Sequence, residues 1–300
     1  MSATIYCGIA GWSYEDWIGT VYPDTREKDF DQLTYASSYF DTIEINTTFY
    51  RPPSPYMTKN WVKKTIHNSN FKFTAKLWQK FTHEKTVLSQ NDIKIFKDGI
   101  NPLMENNKLG ALLIQYPWSY KYNEVNVDKL QILIGAFKTY PLIVEFRHNS
   151  WILREVLTIL NDNNVGFCNI DQPVIGQSIK PSSYITSSIG YIRLHGRNYK
   201  DWFRKNAGRD DRYNYLYKPD ELEMWIDKIK KIREKAKQIY VIANNHYRGQ
   251  AAVNALQMKS ILNDTKVPVP GQLAKIYPVL QEIKTEKNNH ASNGKSEVIF

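Results

Sequence analysis

The chain has 300 residues, of which 42% are hydrophobic and 23% charged, the composition of a globular protein with a large core. Its formal net charge of +10 favours anionic partners, although a codon bias toward Lys, Asn, Ile and Tyr would produce the same excess. No run reaches the roughly 18 apolar residues of a membrane helix, and the start MSATIYCGIAGW lacks a secretory signal, so we expect a cytoplasmic protein without a membrane partner.

Eight short apolar runs with β-branched and aromatic residues recur in the first 245 residues, and stretches with helical periodicity separate most of them. Strand–helix alternation repeated about eight times, without a Gly-rich fingerprint after the first strand, favours a barrel over a doubly wound sheet. The sequence therefore predicts an α/β protein with a single (β/α)₈ TIM-like barrel. The predicted strands are 5–10, 42–46, 71–76, 111–116, 142–147, 166–171, 190–195 and 238–244.

The clearest predicted helix covers residues 219–238. Acidic residues fill its first turn and basic residues crowd its end, which matches the helix dipole. Asp220 is the predicted N-cap, because an aspartate side chain accepts hydrogen bonds from the free N–H groups of a first turn. The predicted buried stripe consists of Leu222, Trp225, Ile226, Ile229 and Ile232.

A long loop, residues 196–219, is predicted after strand seven, and loops of that length usually act as lids or binding loops. No internal repeat or interdomain linker divides residues 1–284, which we assign to one barrel domain. Residues 285–300 are polar and aperiodic, so they are predicted to form a disordered C-terminal tail.

Polar residues interrupt the apolar strands toward their C-terminal ends. Alternate residues of a strand share one face, so each pair two positions apart points the same way. The C-terminal ends of barrel strands carry the active site in barrel enzymes, which favours a functional role for this ring. Its members are Glu44 with Asn46, Lys76, Gln115, Glu145 with Arg147, Asn169 with Asp171, Arg193 with His195, and Asn244.

A structural alternative is an interior layer of salt bridges, in which the three acids of the ring neutralise three of its bases, since an unpaired interior charge costs several kcal/mol. A purely structural layer has no reason to lie selectively at the strand ends, so the functional interpretation is favoured. In that interpretation His195 or Glu145 handles a proton, and Lys76 stabilises negative charge or acts as a base. The candidate catalytic residues are Glu44, Lys76, Glu145, Asp171 and His195.

Loops that adjoin the ring interleave aromatic residues with Arg and His, a combination that suits a planar anionic ligand. After strand eight, a loop with Arg248 and Gly249 opens a helix whose free N–H groups would bind an anion. The candidate residues for binding the anion or substrate are Asn46, Tyr50, Gln115, Arg147, Arg193, Arg197, Asn244, Asn245, Arg248 and Gly249.

Several chemistries lack their motifs. No P-loop, dinucleotide, serine-hydrolase or zincin motif occurs, so no cofactor is predicted. Cys7 and Cys168 lack zinc-ligand spacing and are predicted to be buried. Glu44 and Glu145 resemble a glycosidase pair, but the basic residues around them would depress both pKa values and disfavour a general acid.

Three hypotheses follow. The leading one is an enzyme of undetermined reaction class acting on an anionic, phosphate-bearing small molecule or nucleotide. The second is a nucleic-acid-binding protein whose 196–219 loop, with Arg204 and Arg209, tracks a phosphate backbone. The third, a minority alternative, is a divalent-metal-dependent isomerase or endonuclease-like barrel. Its candidate metal ligands are Glu44, Glu145 and Asp171, with His195 as an optional fourth.

Taken together, the motifs resemble the domain of unknown function 72 family, also called YecE-like, over roughly residues 4–260. The resemblance implies a TIM-like barrel with a polar mouth and supplies no reaction. One departure is Ala243, where the family pattern leads us to expect a phenylalanine before the paired asparagines of strand eight. The matching segments are GIAGWSYEDW (8–17), EINTTFYRPPS (44–54), FKFTAK (71–76) with TH (82–83), LLIQYPWSY (112–120), VEFRHNSW (144–151), the strand that contains Asp171, YIRLHGR (191–197), YNYLY (213–217) and ANNHYRGQAAVNAL (243–256).

Overall fold

The computed structural model describes residues 3–24, 28–84 and 88–285, with the side chain of Arg209 left out. Eight strands form its centre, and their bounds agree with the predicted strands to within about two residues at each end. The strands are β1 Thr4–Ala10, β2 Thr42–Ile45, β3 Lys72–Lys76, β4 Leu109–Gln115, β5 Leu142–Glu145, β6 Gly166–Asp171, β7 Ile189–Leu194 and β8 Gln238–Ala243.

The strands form a closed parallel barrel in chain order. Closure comes from the first and last strands, which pair in register from Thr4 opposite Gln238 to Ile9 opposite Ala243. Helices follow every strand except β6, whose connection to β7 contains no described helix. The helices cover the outside of the barrel, which confirms the predicted (β/α)₈ fold. They are α1 Gln32–Ser37, α2 Thr47–Tyr50, α3 Pro55–Lys64, α4 Gln90–Glu105, α5 Glu124–Phe137, α6 Arg154–Asp162, α7 Arg209–Arg212, α8 Pro219–Arg233, α9 Gln250–Asn263 and α10 Gly271–Ile276.

Short 3₁₀ helices add turns at the loops around the barrel, at Glu15–Trp17, Gln79–Phe81, Asn149–Trp151, Tyr247–Gly249 and Pro278–Leu280. None of the described helices is long and apolar enough to cross a membrane.

Helix α8 has the predicted stripe, since Leu222, Trp225 and the three isoleucines are all buried. The predicted N-cap at Asp220 is wrong. The helix begins at Pro219, whose fixed φ and missing N–H suit a first helical position. The carboxylate of Glu221 then accepts a hydrogen bond of 2.9 Å from the backbone N–H of Lys218. The helix ends at Arg233, five residues before the predicted end.

The long connection after strand seven is also confirmed. Residues 195–218 lie between β7 and α8 and contain only the single helical turn α7. Cys7 and Cys168 are both free and buried, as the sequence predicted. Residues 286–300, nearly all of the predicted disordered tail, lie outside the described residues, so that prediction stands as made.

Candidate active site at the barrel mouth

A cavity of about 490 Å³ opens at the C-terminal ends of the strands. Among its described lining residues, the charged side chains are all basic, and five aromatic rings form much of the wall. The lining consists of Gly11, Trp12, Ser13, Tyr14, Asn46, Thr47, Phe49, Tyr50, Lys76, His83, Gln115, Arg147, Arg193, Tyr213, Asn244 and His246.

A chain of buried ion pairs lies under this cavity. The guanidinium of Arg193 bridges two carboxylates, with Nη2 2.6 Å from Oε1 of Glu44 and Nη1 2.6 Å from Oε2 of Glu145. The other oxygen of Glu145 accepts a hydrogen bond of 2.5 Å from Nε of Arg147. The hydroxyl of Tyr191 donates to Oε2 of Glu44 at 3.0 Å. Two acids and two arginines therefore neutralise one another within the predicted ring.

Glu145 is held as a carboxylate. Burial alone would raise its pKa, but the neighbouring Arg147 and Arg193 hold that pKa well below the usual range. Both of its oxygens accept hydrogen bonds from arginine, so the carboxylate has no proton to donate, and Glu145 is not among the residues that line the cavity. This geometry disfavours Glu145 as a general acid.

Lys76 differs from the other charged members of the ring. Its Nζ lies 4.3 Å from the centroid of the Phe49 ring and makes no hydrogen bond or ion pair with any described residue. Burial, together with the nearby Arg193 and Arg147, lowers its pKa to about 7 against the opposing effect of Glu44 and Glu145. Because the two acids are already neutralised by arginine, Lys76 has no counter-ion among the described residues. At neutral pH a large share of its amine is uncharged.

His195 lies beside the ion pairs but does not line the cavity. Its Nδ1 accepts a hydrogen bond of 2.9 Å from the amide of Asn244, so the neutral ring carries its proton on Nε2, 3.7 Å from Oε1 of Glu145. Burial, together with Arg147 and Arg193, lowers the pKa of His195 well below its usual range. The imidazole ring of His195 is therefore neutral. By accepting the hydrogen bond from Asn244, it fixes the orientation of that amide.

Asp171 and Arg197 form a separate cluster away from the cavity lining. The guanidinium of Arg197 donates to both oxygens of Asp171 at 2.8 to 3.1 Å and to Glu221 at 3.0 Å. The indole N–H of Trp225 donates to Asp171 at 2.6 Å. These contacts join strand β6 to the loop after β7 and to helix α8, and they leave neither charge directed at the mouth.

The loop after β8 contributes Asn244 and His246 to the cavity, while Asn245, Arg248 and Gly249 lie outside its lining. The Asn245 amide donates to the carbonyl of Tyr215 at 2.7 Å. The backbone N–H of Arg248 donates to Asp16 at 2.6 Å, and its side chain is exposed. The predicted anion site at this helix start is thus partly closed by an aspartate.

The remaining predicted residues Asn46, Tyr50 and Gln115 all line the cavity. Tyr50 is 68% exposed and lies at its outer edge.

Sequence reasoning left several lining residues out of the candidate set. His83 follows β3 and packs its ring against Phe49, with a centroid distance of 5.0 Å. Burial and the nearby Lys76 lower the pKa of His83 to about 4, so its imidazole is neutral. Tyr14 stacks on His246 with ring centroids 4.5 Å apart, and Tyr213 comes from the loop after β7. Loop residues carry no periodicity, so only their aromatic or histidine character pointed to them.

The geometry also bears on the nucleic-acid and metal hypotheses. In the loop after β7, Arg204 pairs with Asp201 at 2.7 Å and with Asp211 at 3.1 Å, which offsets its charge. The side chain of Arg209 lies outside the described part of the structure. In the described ranges, no group of three or more His, Cys, Asp or Glu side chains is placed to hold a metal ion.

Fold and site define a parallel (β/α)₈ barrel protein with a basic, aromatic-walled cavity at the C-terminal ends of its strands. The family model described as protein of unknown function DUF72 matches residues 6–276, and the chain belongs to this family. The resemblance inferred from the sequence motifs is therefore confirmed.

Relatives match over nearly their whole length. UPF0759 protein YunF of Bacillus subtilis (strain 168) is 28% identical over 273 residues, which are 86% of this chain and 95% of that protein. The crystal structure of a DUF72 family protein from Thermotoga maritima MSB8 has a TM-score of 0.76 and 32% identity, covering 87% of this chain and 99% of that one. A family member from Enterococcus faecalis V583 has a TM-score of 0.76 and 28% identity, covering 87% and 96% of the two chains.

Proposed function

We propose that this protein is an enzyme that binds a small anionic molecule in the mouth cavity and uses the amine of Lys76 in its chemistry. The observation that carries the proposal is the position of Lys76. It is a cavity-lining amine with no hydrogen-bonding or ionic partner among the described residues, above a cluster whose other charges are neutralised. A lysine whose pKa lies near 7 can take up or release a proton at physiological pH.

The charge balance of the site favours an anion. Glu44 and Glu145 contribute two negative charges, and Arg147 and Arg193 contribute two positive charges. Protonated Lys76 is then the unbalanced charge, and a bound anion would supply its missing counter-ion. Binding would therefore raise the pKa of Lys76 and draw a proton onto it.

Arg147 offers the donors for such an anion. Its Nε donates to Glu145 and its Nη1 to Gln172 at 2.9 Å, while Nη2 has no partner among the described residues. The side chain is 12% exposed, and it lines the cavity. An arginine N–H group directed at a partly closed cavity is well suited to carboxylate or phosphate.

The aromatic wall supports a ligand with a flat or apolar body. Trp12, Tyr14, Phe49 and Tyr213 line the cavity, and the half-buried amides of Asn46 and Gln115 add neutral hydrogen-bonding groups. A pocket of a few hundred Å³ with apolar walls and a few polar groups is typical of small-molecule sites. The volume suits a metabolite rather than a polymer.

A melting-temperature screen tests this proposal. Carboxylated and phosphorylated metabolites are compared with their uncharged analogues, because a ligand that binds only the folded state raises the melting temperature. We expect anionic compounds to stabilise the wild type, with a loss of this effect in Arg147→Met and Lys76→Met. Lys235→Met, which removes an exposed lysine outside the cavity, is the matched control and should behave as the wild type.

Calorimetric titration of the best compound in buffers of different ionisation enthalpy should show net proton uptake at pH 7.5. Conversion of that compound is then followed by NMR with wild type and Lys76→Met. Equal stabilisation of wild type and both cavity variants by every anion would refute the proposal. Binding of the compound without its conversion would show that the protein binds the anion but does not act on it as an enzyme.

A further inference from the structure

We propose that Lys76 forms a covalent imine with an aldehyde or ketone that carries a carboxylate or phosphate group. This inference rests on the proposed function and names both the substrate class and the covalent step. It gives the cavity two parts, with a nucleophilic amine on strand β3 and an anion-binding guanidinium after strand β5.

The surroundings of Lys76 meet the needs of an amine nucleophile. A lysine attacks a carbonyl only as the neutral amine, whose lone pair is free. An acidic partner or several hydrogen-bond acceptors around Nζ would instead stabilise the protonated form. No described residue pairs with Nζ, and the nearest acids, Glu44 and Glu145, are bound to arginine. Burial beside Arg193 disfavours the ammonium form and lowers the pKa of Lys76 to about 7.

Lys72 and Lys108, the two buried lysines among the described residues, do not share this arrangement. Nζ of Lys72 donates to the side-chain oxygen of Asn107 at 2.8 Å. Nζ of Lys108 donates to the carbonyls of Asn68 at 2.7 Å and of Thr65 at 3.2 Å. Both are held by acceptors at the N-terminal ends of β3 and β4. Among the described residues that line the mouth cavity, Lys76 is the single lysine.

The walls of the cavity set the class of carbonyl compound. The N–H groups of Arg147 without a described partner favour an anionic group on the ligand. With that group bound to Arg147, the carbonyl carbon of the same molecule would be free to react with Lys76 in the same cavity. The face of Phe49 lies under Nζ at 4.3 Å and excludes water from one side of the amine. Exclusion of water protects an imine from hydrolysis.

The covalent step balances without an oxidant or reductant. The Nζ lone pair forms a bond to the carbonyl carbon while the C=O π electrons move to oxygen. Two hydrogens from the amine then leave with that oxygen as one molecule of water, and a C=N double bond remains. Water returning to the imine carbon regenerates the lysine.

Reductive trapping tests the inference on the intact chain. The probe is dihydroxyacetone phosphate, and its control is dihydroxyacetone, which has the same ketone without the anion. Each is incubated with the protein and cyanoborohydride at pH 7, and adducts are located by peptide mass spectrometry. We expect Lys76 to be modified by the phosphorylated ketone at least about tenfold faster than exposed Lys235, because far more of its amine is neutral at this pH.

Two controls make the result specific. Inorganic phosphate should slow the modification of Lys76 by competing for the anion position, and it should leave the modification of Lys235 unchanged. Lys76→Arg keeps a positive charge but cannot form an imine, so it should show only the background modification of the other lysines.

The outcomes separate this inference from the proposed function. Fast phosphate-sensitive labelling of Lys76 by the phosphorylated ketone, with slower labelling by dihydroxyacetone, supports the inference. Labelling of Lys76 no faster than that of Lys235 overturns it, and equal rates with both ketones overturn the assigned substrate class. If labelling fails while anions still raise the melting temperature of the wild type, the proposed anion-binding enzyme survives without an imine.

Discussion

Arg193 and Lys76 are two basic residues on the wall of one cavity, and the structure gives them opposite energetic roles. Arg193 is almost fully buried, and its guanidinium holds Glu44 and Glu145 together. Lys76 forms no ion pair with an acid in the described part of the chain. Removing one partner of a buried ion pair leaves a charge that the interior cannot solvate, whereas removing an unpaired charge leaves none.

The first prediction compares the two residues by the same substitution. Arg193→Met should lower the free energy of unfolding by about 3–5 kcal/mol, because two buried carboxylates lose their shared cation. Lys76→Met should change it by less than about 1 kcal/mol or raise it. Urea denaturation of both variants measures the difference. A loss below about 1 kcal/mol for Arg193→Met would show that its ion pairs do not stabilise the fold, and an equally large loss for Lys76→Met would show that Lys76 also has a stabilising partner.

The second prediction concerns pH. In the folded protein the pKa of Lys76 is about 7, whereas an unfolded chain keeps its lysines protonated up to about pH 10.4. Between these values the unfolded state binds more protons than the folded state, so Lys76 makes the free energy of unfolding rise with pH. Below pH 7 the destabilisation caused by burying the protonated lysine is fully present. The unfolding free energy of the wild type minus that of Lys76→Met should therefore increase from pH 7 to pH 9.5.

The slope of that difference should not exceed about 1.4 kcal/mol per pH unit, the limit for one proton. Other titrating groups cancel in the subtraction. A difference that is flat or falls over this range would mean that Lys76 is protonated in the folded protein and held by a counter-charge.

At the scale of elements, the junction between β8 and α9 shows why a plausible anion site is not part of the cavity. Gly249 has φ +79°, which the left-handed backbone before α9 requires, and it packs between Val21 and Leu273. The Tyr277 hydroxyl also donates to the carbonyl of Arg248 at 2.8 Å. The glycine serves the close packing of this junction.

The third prediction follows from that packing. A Cβ at Gly249 would lie 3.0 Å from side-chain carbons of Val21 and of Leu273, in a backbone conformation that alanine disfavours. Gly249→Ala should cost about 1–3 kcal/mol of unfolding free energy. Gly271→Ala is the control, because no atom lies within 4 Å of its added Cβ, and it should be neutral or slightly stabilising. Similar values for both would contradict the assigned role of Gly249.

At the scale of the whole molecule, the barrel depends on contacts between distant parts of the chain. Strand β8 pairs with both β1 and β7, and so it closes the sheet. The outward faces of these three strands form one apolar cluster with Trp225 and Ile229 of α8 and Met258 of α9. Without β8, two strand edges and this apolar face would be exposed together.

The fourth prediction uses truncation. A chain ending at residue 237 lacks β8 and α9, so we expect no cooperative melting transition. A chain ending at residue 285 keeps every described element, and it should melt within a degree or two of the full chain. Calorimetry on both distinguishes them. Cooperative melting of the shorter chain would show that seven strands suffice.

The sequence by itself determined the barrel, because eight apolar runs separated by helical periods leave few ways to bury a parallel sheet. It also determined that Glu44, Glu145 and Arg193 lie together, since two-residue periodicity and strand order fix their face and height. The starts of helices were harder to predict. Asp220 was predicted as the N-cap of α8, but neighbouring Pro219 and Glu221 also suit a helix start, and the helix begins at Pro219.

Only the tertiary structure decided how the charges pair. Asp171 forms an ion pair with Arg197 from the next loop, and Arg193 binds both glutamates. Lys76 is therefore left without a counter-ion among the residues that the structure describes. Pairing depends on distances of a few ångströms between side chains from different strands, which no one-dimensional pattern encodes. A change of a few ångströms in the distance to an acidic group decides whether a lysine forms a structural ion pair or remains a reactive amine.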